Sequence, residues 1–174
     1  MRTLDSRTQE GPLRRAHYEE IILRLSSLLD GEADWIAALA TVACELHHAF
    51  VHFHWTGFYR VVGNDELVVG PYQGTHGCLR IRFARGVCGA AARTRQTQLV
   101  SDVSAFPDHI ACSSTTRSEI VVPVLNSDGR LLAVLDVDSD DLSAFDEIDQ
   151  KALEAICADL GSRFPEGERS RSFD

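Results

Sequence analysis

Apolar positions recur at helical spacing in the first part of the chain. From Pro12 to Leu29 they are Ile21, Ile22, Leu25, Leu28 and Leu29, and Asp30-Gly31 ends the run. A second helical stripe follows, made of Trp35, Leu39, Val42, Ala43, Leu46 and Phe50. Cys44 lies beside that stripe, so a small buried structural thiol is its expected role. The period then changes to that of a strand. Val51 to Val62 is aromatic and β-branched, Gly63-Asn64-Asp65 supplies a turn, and Glu66 to Tyr72 reads as the returning strand. Cys78 to Phe83 alternates, which predicts Leu79, Ile81 and Phe83 on one face and Cys78, Arg80 and Arg82 on the other.

Gly86 to Arg95 reads as a short helix opened by a Gly-rich turn, and Gln98 to Val103 as another strand. Ser104 to Arg117 has no apolar period and reads as a long loop of the kind that covers or binds. Ser118 to Leu125 and Arg130 to Asp138 form a hairpin around Asn126-Ser127-Asp128-Gly129, with both strands buried on two faces. A last helix starts near Asp146 and carries Ile148, Leu153, Ile156 and Leu160, with Cys157 next to the stripe as core or helix surface. Two helices, five or six strands and a closing helix predict an α+β fold around one mainly antiparallel sheet. No repeat or linker divides the chain, so residues 1–174 read as one domain with a core over about 12–163 and a polar, frayed tail over 165–174.

Composition narrows the function classes. Lys plus Arg is 17 and Asp plus Glu is 26, a net charge of −9, with no basic block for nucleic acid or an anionic membrane. Lys151 is the single lysine, so lysine Schiff-base and P-loop chemistry have almost nowhere to sit. No apolar run approaches the roughly 18 to 20 residues of a membrane span, and the polar N-terminus does not resemble a signal peptide. The expectation is a cytoplasmic protein with no membrane and no nucleic-acid partner.

The five cysteines, Cys44, Cys78, Cys88, Cys112 and Cys157, are an odd number with no C-x-x-C pair. That argues against an extracellular disulfide framework, a thioredoxin-type motif or a zinc ribbon. Cys112 lies in the long loop beside His109, whose imidazole could hold it as thiolate. Cys88 sits in GVCG at a helix N-terminus, where unpaired N–H groups favour a thiolate. Cys78 shares its expected strand face with Arg80 and Arg82, which would do the same. A zinc site from His109 and Cys112, or His76 and Cys78, is the competing use, weakened by the lack of a paired motif. Asp136 and Asp138 alternate with apolar residues in LDVDS and share a face, and Glu119 opens the partner strand. Buried carboxylates are costly unless paired or used, so these three could bind an amine, or one could stay protonated as a general acid. The plainer alternative is that the two aspartates end a strand and turn with Ser139.

The stretches HWTGFY, GPYQG, GVCG, DHIAC, SEIVVP and VLDVDS, in this order with the strand at Cys78, closely resemble the free methionine-(R)-sulfoxide reductases, which use a GAF-type domain. The resemblance runs from about Trp35 to Leu160. It departs at His54, where the family often has Asn, and at Asp108, where it often has Gly; the turns at Gly63–Asp65 and Asn126–Gly129 each hold an extra residue.

The resemblance implies reduction of the R-epimer of free methionine sulfoxide, with no resident cofactor and with thioredoxin as external reductant. By position Cys112 matches the nucleophile that becomes a sulfenic acid, Cys78 the resolving cysteine and Cys88 the third thiol. Glu119, Asp136 and Asp138 match carboxylates that hold and activate substrate, with Glu119 favoured as the acid. Trp55 and Tyr59 match pocket aromatics. The chemistry asks for these parts: a nucleophilic thiol, an acid to protonate the leaving oxygen, a second thiol, carboxylates for the ammonium and an apolar wall for the thioether. A non-catalytic GAF ligand sensor and a thiol redox sensor are the alternatives. The oligomeric state, a homodimer included, is left open.

Overall fold

The alternating stretches pair into one six-stranded antiparallel sheet, and the first two helices pack with the last on one of its faces. The computed structural model describes residues 11–107 and 114–167. In chain order the elements are α1 (Gly11–Leu28), α2 (Trp35–Ala49), β1 (Trp55–Val62), β2 (Glu66–Gln73), β3 (Arg80–Arg82), α3 (Gly86–Thr94), β4 (Gln98–Val100), a 3-10 turn (Val103–Ala105), β5 (Ser118–Leu125), β6 (Leu131–Ser139) and α4 (Glu147–Arg163). The strand order is β3-β2-β1-β6-β5-β4, so the α+β fold expected from the sequence is the one observed. No helix among the described residues is long and apolar enough to cross a membrane.

Successive side chains of a strand leave on opposite faces. Phe58, Ile120, Val122, Leu135 and Val137 therefore meet the helical layer of Tyr18, Ile21, Leu39, Leu46, Leu153 and Leu160. Trp55, Tyr59, Val121 and Val134 meet Val87, Cys88 and Ala91 of α3 on the other face. Burial on both faces explains why β5 and β6 read as almost continuous apolar runs. Each fully buried Leu, Ile or Phe contributes about 2 kcal/mol, so the two layers hold the central strands firmly in register.

Helix starts are fixed by side chains that satisfy free N–H groups. Asp34 accepts from Ile36 N and Ala37 N at 2.9 and 3.0 Å. Asp146 and Asp149 form a capping box at α4. Asp149, with no exposed surface, also accepts the Tyr18 hydroxyl at 2.8 Å, while Arg14 pairs with Asp146 and lies 3.6 Å from Asp149. These bonds tie α1 to α4 across most of the chain.

Four expectations need correction. Val51 to His54 is not strand: Phe50 and Phe53 stack with centroids 4.7 Å apart in the helical layer, and β1 starts at Trp55. The stretch from Cys78 pairs only over Arg80–Arg82, and Leu79 is 75% exposed because β3 is a sheet edge with one neighbour. β4 stops at Val100, since the Asp102 side chain caps a 3-10 turn through Ser104 N at 2.9 Å. Cys44 is exposed rather than buried: the core face of α2 is filled by Val42, Ala43 and Leu46, and the thiol points away from it. Cys157, by contrast, is buried in the helical layer. The expected tail beyond 167 lies outside the described residues.

Candidate active site

The face covered by α3 carries polar groups at one end of the central strands. Trp55 pairs with Asp138, Gly57 with Asp136, and Glu119 with Asp138 across the ladders. Because register partners share a face, Glu119, Asp136, Asp138 and Trp55 all leave the sheet toward α3. There Cys88 points back at them, its Sγ donating toward Glu119 Oε1 at 4.0 Å. Cys88, Glu119 and Asp136 are 3%, 5% and 5% exposed, and their ligating atoms all lie within 4.8 Å of one another.

Burial and mutual repulsion dominate the electrostatics. Glu119 is held well above the carboxylate range, first by desolvation and then by Asp136 and Asp138. Desolvation also raises Asp136, to about 6, while hydrogen bonds from Cys88 and Glu119 pull it back toward the anion. Asp138 is pushed up by burial and Asp136, and a hydrogen bond from the Thr116 side chain opposes the shift. Glu119 and Cys88 thus keep their protons and Asp136 is the acceptor. Asp136 Oδ1 makes no hydrogen bond among the described residues, which leaves a buried carboxylate oxygen able to receive a cationic donor.

An aromatic wall stands beside this cluster. The Trp55 ring stacks on Tyr59 at 5.7 Å and on Tyr72 at 5.3 Å, and its Nε1 donates to the Thr75 carbonyl oxygen at 3.1 Å. Burial, followed by Asp136, raises the Tyr59 phenol far enough that it stays protonated. Gly57 lies between Trp55 and Tyr59 on this face. A Cβ there would stand 2.3 Å from Tyr72 Cβ and 2.7 Å from Trp55 Cη2, so the wall requires glycine.

The structure brings together Cys88, Glu119, Asp136, Asp138, Trp55 and Tyr59, and revises two thiol settings. Cys88 has its pKa raised well above the thiol range by burial, Asp136 and Glu119; the helix N-terminus does not prevail. Arg80 and Arg82 pair with Glu66 and Asp65 at 2.6 and 2.8 Å, so their charges are engaged away from Cys78. Cys78 is disulfide-bonded, whereas Cys44, Cys88 and Cys157 are free thiols. Cys112, His109 and Asp108 lie outside the described residues. Sequence reasoning missed Tyr72 and Thr116. The register Gly57 to Tyr72 is what places Tyr72 at the wall, and no local motif marks Thr116.

A small donor set of this kind, with one thiol and carboxylates opposite an aromatic wall, suits an ammonium-bearing molecule with a soft apolar end. It could also hold a thiophilic cation through Cys88, Glu119 and Asp136. Comparison with known proteins decides the lineage. The GAF domain family matches residues 34–164. Free methionine-R-sulfoxide reductase of Saccharomyces cerevisiae is 41% identical over 79% of this chain and 80% of its own length. An X-ray structure of free methionine-R-sulfoxide reductase from Neisseria meningitidis in complex with its substrate superposes with a TM-score of 0.83 at 47% identity, covering 94% of this chain and 95% of that one. The chain belongs to the GAF-domain free methionine-R-sulfoxide reductase family. GAF domain-containing protein A of Dictyostelium discoideum is 49% identical over 82% of this chain and 89% of its own. In this reductase family member, the GAF match spans every residue placed at the site, from Trp55 to Asp138.

Proposed function

We propose that this protein reduces free L-methionine (R)-S-oxide to L-methionine, using Cys112 as nucleophile and Cys78 as resolving thiol. The carrying observation is the buried cluster of Cys88, Glu119, Asp136 and Asp138 facing the Trp55–Tyr59 wall. Asp136 and Asp138 complement the substrate ammonium, and the aromatic rings take the methyl and thioether side. A peptide-linked methionine has no ammonium to offer, so it gives up that contact.

The Cys112 thiolate attacks the sulfoxide sulfur while Glu119 gives its proton to the sulfoxide oxygen. The protonated oxygen passes from the substrate sulfur to the cysteine sulfur, the S–S bond made by the attack breaks, and methionine leaves with Cys112 as the sulfenic acid. The Cys78 thiol then attacks the sulfenic sulfur, the S–O bond breaks, water departs and a disulfide forms. Cys88, kept protonated, hydrogen-bonds the carboxylates and is not the attacking group. The disulfide-bonded state of Cys78 beside three free thiols fits this division, with Cys112 assigned as its redox partner. Thioredoxin returns both to thiols, and the cytoplasm is the compartment in which that recycling operates.

Thioredoxin-coupled NADPH consumption with the separated R and S epimers tests the reading. Turnover is expected with the free R epimer and nearly none with the S epimer or an N-acetylated substrate. Saturable binding without methionine production would replace catalysis by ligand sensing, and equal rates on both epimers would overturn the stereochemical assignment.

A further inference from the structure

The segment that delivers Cys78 is seated on the aromatic wall. β2 ends at Gln73 and β3 begins at Arg80, and residues 74–78 between them bend across the site end of the sheet. Three contacts hold this bend. Trp55 Nε1 donates to the Thr75 carbonyl oxygen at 3.1 Å. Gly74, at φ +111°, lies so close that a Cβ would stand 2.7 Å from the His54 carbonyl oxygen. A Cβ on Gly77 would stand 2.9 Å from the Tyr59 hydroxyl and 3.0 Å from Trp55 Cζ2. Neither ring has room to give way, because Tyr59 is 1% exposed and Trp55 is stacked on both Tyr59 and Tyr72. The residue after Gly77 is the disulfide-bonded Cys78.

We propose that Gly77 is a positioning residue for the resolving step: its missing side chain lets the loop sit flush on Trp55 and Tyr59, which sets the reach of Cys78. This rests on the function proposed above. In that step the Cys78 sulfur attacks the sulfenic sulfur of Cys112, the S–S bond forms, and the S–O bond breaks. The oxygen leaves as water, with its own proton and the one lost by the Cys78 thiol. Disulfide formation tolerates only a narrow range of Cα separation, about 4.4–6.8 Å, so a loop lifted by a methyl group loses alignment. Misplacements on the order of 1 Å can cost about a hundredfold in rate. The wall that receives substrate would thereby also aim the thiol that closes the cycle.

The test is a single turnover without thioredoxin, with the free R epimer in excess, following methionine release, loss of free thiol and dimedone-trapped sulfenic acid in the same samples. Gly77→Ala is expected to release methionine within about twofold of the wild-type rate, yet to close the disulfide at least tenfold more slowly and accumulate sulfenic acid. Trp55→Phe, which deletes the Nε1 donor and keeps an aromatic ring, is expected to slow closure more than its own methionine release. Adding Tyr59→Phe to Gly77→Ala removes the oxygen that the new Cβ meets, and should recover part of the closure rate relative to Tyr59→Phe alone. Closure at the wild-type rate in Gly77→Ala overturns the proposal. So does an equal fall in release and closure in both Gly77→Ala and Trp55→Phe. Absence of methionine from the wild-type protein would instead overturn the proposed function itself.

Discussion

Glu119 on β5 and Asp138 on β6 are register partners, two carboxyl groups directly opposed on one buried face of a sheet. Like charges in this position destabilise a ladder, and Asp136 two residues along adds a third. The arrangement persists because protons neutralise part of it, so the free protein holds its site at a cost in stability that a cationic ligand would relieve.

That cost is measurable at Asp136. Its folded pKa is about 6 through burial, against about 3.9 for an unfolded aspartate. Below pH 4 both states hold the proton and there is no penalty. Between about pH 4 and 6 the unfolded chain loses its proton first, so rising pH destabilises the folded state, and above about 6 the penalty is complete. Asp136→Asn should therefore be more stable than wild type at pH 7.5 by about 1–3 kcal/mol, with the gain shrinking toward zero at pH 4. Urea unfolding of both proteins at the two pH values checks this. A destabilised Asn variant at pH 7.5 would mean that Asp136 is already compensated in the free protein.

Gly57→Ala should damage the wall from within. The new Cβ meets Tyr72 Cβ at 2.3 Å and Trp55 Cη2 at 2.7 Å, and no rotamer change moves a Cβ. Overpacking of this kind costs about 1–3 kcal/mol. A fall in Tm together with a raised KM for the free R epimer is the expected result, and an unchanged KM would remove Trp55 from the binding surface.

Four of the thiols should each give a different outcome. Cys112→Ser is expected to abolish methionine release even in one turnover. Cys78→Ser should release one equivalent and stop at a trappable sulfenic acid. Cys44→Ser, on an exposed helix face, should leave both rate and stability near wild type. Cys157→Ser should keep the rate but lose about 1–3 kcal/mol, because its hydroxyl enters an apolar layer where the thiol is 1% exposed. Mass spectrometry of trapped intermediates and thermal melts distinguish the four.

How far the sequence can be read depends on how local each signal is. Asp136 and Asp138 interrupt an apolar run at a spacing of two, so their shared face could be read directly, and Glu119 followed from the hairpin register. The hairpin itself was clear because Asn126–Gly129 is a polar turn, its Asn126 Oδ1 accepting from Asp128 N and Arg130 N at 3.1 and 2.9 Å. Cys88 misled because a helix N-terminus is a local cue. The groups that decide its protonation, Glu119 and Asp136, arrive from strands far along the chain. Tyr72 escaped for a similar reason, since only the pairing of β1 with β2 brings it against Trp55. Leu79 alternated correctly but sits beside an edge strand with no layer to cover it.

The acid can be assigned by separating chemistry from binding. Sulfoxide oxygen leaves poorly unless protonated, and an ordinary carboxylate is ionised near neutral pH. Glu119 retains its proton because burial and two neighbouring carboxyl groups oppose ionisation, and Asp136 accepts a hydrogen bond from it. Glu119→Gln preserves shape and hydrogen bonding but has no proton to transfer. It should slow sulfenic-acid formation by about 10²–10⁴-fold and change substrate affinity little. Asp138→Asn removes a carboxyl group next to Trp55 without removing that acid, so it should weaken binding at least as much as it slows the reaction. Quenched-flow single turnovers from pH 5 to 9 should show the wild-type chemical step falling at high pH, as the proton is lost, and this limb should vanish in Glu119→Gln. A Glu119→Gln enzyme with a wild-type chemical step would transfer the acid role to Asp138, whose pKa is raised in the same direction by burial and by Asp136.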